Sequence, residues 1–217
     1  MDNERSYRQF CGVARGLDLV GERWALLVVR ELLLGPRRYT DLAGGLPGVS
    51  TNVLSTRLRQ LERSGVVQRR VLPPPAASAV YELTPYGRDL EPIVLALGRW
   101  GARSLGPHGE EALCSHWLAL ALKSFFHAEA AGGVSAVYEV RLREGSFRIA
   151  VHEGAVEVAP GPADEADLVL EADDDALVAL LATGFETGGG VRVVAGDPGA
   201  LERFVELFRF ADPAPTV

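Results

Sequence analysis

Residues 50–72 read STNVLSTRLRQLERSGVVQRRVL, and this stretch decides the fold. Ser50 or Thr51 is an N-cap, because a short hydroxyl side chain accepts a backbone N–H of the first turn. Ser64-Gly65 is the stop, with glycine suited to the left-handed residue that follows a last turn. The helix predicted over 50–64 is about 22 Å long. With Leu54 at zero, Leu58 lies at about 40° and Leu61 at about 340°. Asn52, Ser55, Thr56, Arg59 and Arg63 lie opposite, between about 100° and 200°. One side is therefore an apolar anchor. The other presents the side-chain types that pair with base edges and phosphates in a major groove. A plain solvated face carries similar residues, so the flanking elements have to decide.

Upstream, residues 46–49 form a turn, and Tyr39–Gly44 a short helix with Thr40 as cap and Leu42 as core anchor. Gly35-Pro36 stops a helix over 22–34, whose stripe is Leu26, Leu27, Arg30, Leu33 and Leu34 with Trp24 beside it. Another helix covers 15–20. Downstream, 66–72 is a strand, Pro73 to Ala79 a tip, and 80–83 a returning strand. Thr84-Pro85 opens a last helix with the stripe Leu90, Ile93, Val94, Leu97 and Trp100, ending near Gly106-Pro107. This order is that of a mainly α winged helix-turn-helix domain over residues 1–107. Arg37 and Arg38 before the short helix, and Arg69 and Arg70 at the base of the wing, are placed to clamp phosphates.

Residues 108–217 change character. A helix over 110–131 precedes strands at 137–143, 146–152, 156–159 and 167–172, punctuated by Glu144-Gly145, Glu153-Gly154 and Gly161-Pro162. A helix begins at the acidic Asp173-Asp174-Asp175, as the helix dipole favours, and runs to Ala182. A loop at 188–190, a strand at 191–195, a helix at 198–210 and a frayed tail at 212–217 complete an α+β domain with a largely antiparallel sheet.

The net charge of −7 divides unevenly. Residues 1–107 hold 15 Arg and 10 acids, and residues 108–217 hold 7 basic and 19 acidic residues. A polyanion would be drawn to the first part and repelled by the second. Between Gly35 and Leu72 there are seven Arg against Asp41 and Glu62. No apolar run reaches the roughly 18 residues of a membrane span. The first residues lack the apolar core of a secretory signal, so the expected compartment is the cytoplasm. Two cysteines, Cys11 and Cys114, make no disulfide framework, and the four histidines show no metal-ligand spacing. No nucleophile elbow, P-loop or dinucleotide fingerprint occurs, so neither an enzyme nor a cofactor is expected.

Cys11, Leu17-Asp18-Leu19-Val20-Gly21-Glu22-Arg23-Trp24, Arg30-Glu31-Leu32 and Gly35-Pro36-Arg37-Arg38-Tyr39 form an ordered set. Leu54-Ser55-Thr56-Arg57-Leu58-Arg59-Gln60-Leu61-Glu62, Gly65-Val66-Val67 and Tyr81-Glu82-Leu83-Thr84 with Gly87 continue it. Over about residues 5–103 the chain resembles the HxlR-type regulators, relatives of the MarR proteins. The resemblance implies a winged-helix transcription factor that dimerises through its first and last helices, often a repressor. It adds Arg57 to the DNA-facing set of Ser50, Thr51, Asn52, Ser55, Thr56, Arg59 and Arg63. Cys11 stands where some members carry a redox-sensing cysteine. The chain departs from the family pattern at Gly12 and at the wing tip Ala76-Ala77-Ser78-Ala79.

Tyr138-Glu139-Val140, Gly145-Ser146-Phe147-Arg148-Ile149 and residues 166–172 resemble a sterol-carrier-protein-like fold, as do Gly184 and residues 191–197. That likeness implies an apolar cavity walled by Trp117, Leu120, Phe125, Phe126, Phe147, Phe185, Phe204 and Phe208. The combined expectation is a homodimeric regulator on double-stranded DNA at a palindromic operator, modulated by a hydrophobic small molecule. The alternatives are a switch through Cys11 and a carrier of lipids or hydrophobic metabolites. Plain core packing accounts for each of these residues better than ligand contact does, since apolar pockets and apolar cores use the same side chains.

Overall fold

The computed structural model describes residues 6–75, 77–106, 108–109, 111–184, 190–197 and 199–210. It separates into two compact units, residues 1–94 and 95–217. The division falls inside a helix, ahead of the boundary at 107 drawn from the sequence.

The first unit runs α1 (Gly12–Val20), α2 (Ala25–Leu32), β1 (Arg37–Arg38), α3 (Tyr39–Gly44) and α4 (Thr51–Arg63). It continues through β2 (Val67–Val71), β3 (Ala79–Leu83), α5 (Pro85–Arg88) and the start of α6 (Glu91–Ala102). Helix, turn, helix and wing therefore follow in the expected order. The wing gains a strand: β1 pairs antiparallel with β3, with Arg37 opposite Tyr81 and Arg38 opposite Val80, so the sheet order is β1-β3-β2. Two residues are too short to show a period, which is why the pairing is silent in the sequence.

Helix α2 begins later than expected, after Trp24, which takes a left-handed conformation with φ 78°. Its buried face is Ala25, Val28, Val29, Glu31 and Leu32, while Leu27 is exposed. The stripe expected from Leu26, Leu27 and Leu34 is thus displaced. Residues 25–34 are apolar nearly all round, so periodicity alone cannot choose the inner face. Asp41, not Thr40, caps α3: its Oδ2 accepts the Arg38 N–H at 3.1 Å. Gly65 ends α4 with φ 71°, as its place after the helix requires. Gly87 lies against the Val66 carbonyl so closely that a methyl there would overlap it.

The expected last helix is broken in two at Asp89-Leu90, and α6 buries none of its residues. Ile93, Leu97 and Trp100 are exposed, Trp100 to 68%. Leu90 and Val94 of the expected stripe are half-buried.

The second unit holds α7 (Ser115–Ser124), β4 (Ala136–Leu142), β5 (Gly145–His152), β6 (Ala155–Pro160) and β7 (Leu168–Ala172). Then come α8 (Asp174–Thr183), β8 (Val191–Gly196) and α9 (Gly199–Phe208). The sheet order is β6-β5-β4-β7-β8, antiparallel except for the parallel pair β4 and β7. Tyr138, Val140, Ile149, Val151, Leu168 and Leu170 alternate onto one buried face. Helix α7 is shorter than the expected 110–131, because the His127 N–H donates to Leu207 O at 2.9 Å instead of continuing the helical ladder.

Candidate nucleic-acid interface

Helix α4 is oriented by the three leucines that the sequence singles out. Leu54, Leu58 and Leu61 are buried to 1% exposure or less, and burying each stabilises this attachment by about 2 kcal/mol. Ser50 is the cap, its Oγ accepting the Val53 N–H at 3.4 Å. The opposite face holds Thr51, Asn52, Thr56, Arg59 and Arg63, all exposed. Arg59 Nη2 donates to Thr56 Oγ1 at 3.4 Å, so these two side chains share one patch. Ser55 is half-buried, and its hydroxyl lies 3.2 Å from that of Tyr39. Tyr39 also donates to Thr51 O at 3.0 Å and so ties α3 to the first turn of α4. It acts as a positioning residue that the residue-type argument passes over, because a phenol on the face of a short helix gives no periodic signal.

The arginines divide into two sets. Arg38 and Arg69 are exposed at the two sides of the wing sheet, beside α4's Arg59 and Arg63 in sequence-predicted role. Arg37, Arg57 and Arg70 make ion pairs within the fold. Arg37 Nη1 donates to Glu31 Oε2, and Glu31 is completely buried. Glu31 Oε1 accepts from Arg30 Nε at 3.1 Å and Nη2 at 2.7 Å, and Arg30 Nη2 reaches Gly45 O at 3.3 Å. Arg57 donates from Nε to Arg23 O at 2.8 Å, from Nη2 to Glu22 Oε2 at 3.0 Å, and from Nη1 to Gln60 Oε1. It fastens α4 to the segment before α2. Arg70 makes a two-pronged pair with Glu82, at 3.0 Å and 2.9 Å. The Arg70 hydrogen bond is the main reason the Glu82 carboxyl lies below its ordinary range.

Cys11 is exposed and stands at the N-cap of α1. Backbone N–H groups of Ala14 and Val13 approach its sulfur and lower the thiol pKa, as a helix N-terminus does for any anion. On the same side of the chain, Phe10, Val13 and Leu17 leave their apolar surface in water.

The proposed cavity wall in the second unit is mostly core. Phe204 and Phe208 are completely buried and pack with Tyr138, ring centroids 5.3 Å and 6.3 Å from it and 4.9 Å from each other. Phe126 stacks at 5.7 Å on Phe208, and Phe125 at 4.8 Å on Phe210. Leu120 and Phe147 are buried as well, and Trp117 is half-buried. Phe185 lies outside the described residues, as do the wing-tip Ala76 and residues 212–217. Among the described residues no three His, Cys, Asp or Glu side chains group to hold a metal ion, and no helix is long and apolar enough to cross a membrane.

Residues 19–109 match the family described as HxlR-like helix-turn-helix. An uncharacterized HTH-type transcriptional regulator of Synechocystis, sll1512, is 40% identical over 92 residues, which are 42% of this chain and 68% of that protein. The chain belongs to the HxlR-like helix-turn-helix family. The uncharacterized HTH-type transcriptional regulator YvaP of Bacillus subtilis is 37% identical over 93 residues, 43% of this chain and 86% of that one. The redox regulator HypR in its oxidized form is 32% identical, with a TM-score of 0.42, covering 44% of this chain and 99% of that one. The family match ends before the sheet of the second unit, whose reading rests on its own residues.

Proposed function

We propose that this HxlR-like chain is a DNA-binding transcriptional regulator that works as a homodimer. The observation that carries this is α4: three buried leucines fix it, and Thr51, Asn52, Thr56, Arg59 and Arg63 stand outward, between the short helix α3 and the wing. Asn and Arg make two-pronged contacts to adenine and guanine edges. Arg38 and Arg69 take phosphates on either side and set register. Dimerisation is supported by the exposed apolar side chains of Phe10, Val13 and Leu17 in the first residues and α1, and of Ile93, Leu97 and Trp100 on α6. Two copies of α4 then read a palindromic site with half-sites about one helical turn, roughly 34 Å, apart.

The test is binding to the DNA upstream of its own reading frame across a salt series. Arg38, Arg59, Arg63 and Arg69 are four exposed cations per chain. If all eight of a dimer displace counterions, log affinity falls with log salt at a slope of about −7. Arg59→Ala is expected to weaken specific binding about tenfold or more. Equal binding of unrelated DNA, or an unchanged affinity in Arg59→Ala, refutes the reading.

A second reading, favoured by the exposed thiol at the start of α1, makes Cys11 an oxidant switch. A thiolate favoured by backbone N–H groups and open to solvent is the reactive form. Peroxide or diamide then changes DNA affinity in the native chain and leaves Cys11→Ser unaffected. An equal response in both sinks this reading.

A further inference from the structure

Three of the seven basic residues in 108–217 meet at one cavity of about 670 Å³. It opens where the last residues of β4 and β7 meet the start of β8, and Arg141, Leu142, Arg143, Glu171, Val191 and Arg192 line it. The sheet register brings them together. Arg141 stands opposite Glu171 across the parallel pair, and Glu171 opposite Arg192 across the antiparallel one, so the three form a row on one face.

Each guanidinium is held from one side by a carboxylate. Arg141 Nε donates to Glu139 Oε1 at 2.6 Å, and the other oxygen of Glu139 accepts the Ala163 N–H at 3.0 Å. Arg143 Nη2 lies 3.5 Å from Asp174 Oδ2, while Asp174 Oδ1 accepts the Ser115 hydroxyl at 2.7 Å. Arg192 Nη2 donates to Glu171 Oε2 at 2.7 Å. Glu139 and Asp174 are buried, to 3% and 5% exposure, so two of the three anchors belong to the core and are themselves fixed. An arginine fixed in this way presents its remaining donors without first losing side-chain freedom. A guanidinium carries five N–H donors, and these bonds engage one nitrogen of each. The side chains of Arg141, Arg143 and Arg192 remain 44%, 70% and 66% exposed.

We infer that this cavity binds a small organic anion, a carboxylate or phosphate with an apolar body. Arg141 and Arg143 neutralise buried carboxylates, whereas Arg192 pairs with Glu171, which is half exposed. Each of the three arginines keeps donors beyond its carboxylate bond, and a planar guanidinium presents such donors in pairs that match a carboxylate or a phosphate. Glu171 stands between Arg141 and Arg192 in the row, and with Asp173 it limits the charge that is tolerated. Leu142, Ala172 and Val191 line the cavity at the ends of their strands. The volume is that of a site for a metabolite-sized molecule.

The experiment is calorimetric titration of the full chain, without DNA and at low chloride, with hexanoate, inorganic phosphate and hexanol. Saturable binding of hexanoate, of phosphate, or of both is expected, at one site per chain, with hexanol inert. Hexanoate alone assigns a carboxylate ligand, and phosphate alone a phosphate. Arg143→Gln with Arg192→Gln is expected to weaken binding about tenfold or more. Arg192→Gln alone, at an exposed pair, guards against misfolding and is expected to weaken it by about threefold or more. Arg59→Ala separates this site from the DNA-facing arginines and leaves the titration unchanged. Absence of saturable binding, binding that survives both cavity variants, or hexanol binding as tightly as hexanoate overturns the inference.

Discussion

Glu31 is a wholly buried carboxylate in the helix-turn-helix unit, and replacing it with glutamine tests what it holds together. Its side chain is wholly buried between Arg30 and Arg37, whose side chains are 22% and 25% exposed. The carboxylate joins α2 to β1 through Arg37, and through Arg30 to the Gly45 carbonyl at the end of α3. Glu31→Gln keeps the volume but removes the charge and turns one acceptor into a donor facing a guanidinium. Breaking a buried pair by removing one partner costs about 3–5 kcal/mol. Because both arginines reach water, the lower end, about 3 kcal/mol, is the expected loss. For a unit of this size each kcal/mol moves Tm by roughly 4–8 °C, so the transition falls by about 12–24 °C. The assay is thermal unfolding by circular dichroism at one fixed protein concentration, because a dimer's Tm depends on concentration. Adding Arg37→Met to Glu31→Gln removes a guanidinium left without its partner. The double variant is therefore expected to lose less than the sum of the two single ones. A Tm within about 3 °C of the native chain, or strict additivity, refutes the assignment of this cluster as a buried, mutually dependent network.

Trp100→Glu places a charge on the exposed face of α6 and is expected to shift the chain from dimer to monomer in analytical ultracentrifugation; unchanged sedimentation removes α6 from the interface. Acid stability follows from carboxyls held low: Glu82 through its bond to Arg70, and Glu139, where burial pushes upward but Arg141 and the Ala163 N–H prevail. A depressed folded pKa stabilises above the ordinary value of 4.5 and is lost as pH falls through the folded value. Glu139→Gln is accordingly less stable than the native chain at neutral pH and closes the gap toward pH 3; a gap independent of pH contradicts the pairing.

The elements that carry their own period are legible in the sequence, and those made by pairing are not. Leu54, Leu58 and Leu61 recur at helical spacing, so α4 and its outward face follow from a wheel of about 100° per residue. The strands β4 to β7 alternate, so their number and approximate limits follow as well. Strand β1 owes its existence to β3, and the end of α7 to the Leu207 carbonyl on α9. Residues 25–34 and the aromatic residues of the second unit fail for a different reason. An apolar side chain states that it will be covered but not by what, so Phe204 and Phe208 read as pocket or core until they are seen packed on each other and on Tyr138.

Charge shows the same limit more sharply. Seven arginines against two acids between Gly35 and Leu72 suggest a surface turned wholly toward DNA. Three of the seven meet carboxylates from outside that window: Arg37 with Glu31, Arg57 with Glu22 and Arg70 with Glu82. A count along the chain sees the donors but not the acids that the fold delivers to them. The surplus that remains is smaller and more informative, because Arg38, Arg59 and Arg69 stay exposed beside or upon a helix whose other face is fully anchored. The paired arginines hold α4 and the wing in place, and the exposed ones have phosphates and base edges left to meet. Removing one of the first kind should therefore lower Tm before it lowers affinity, and removing one of the second should do the reverse.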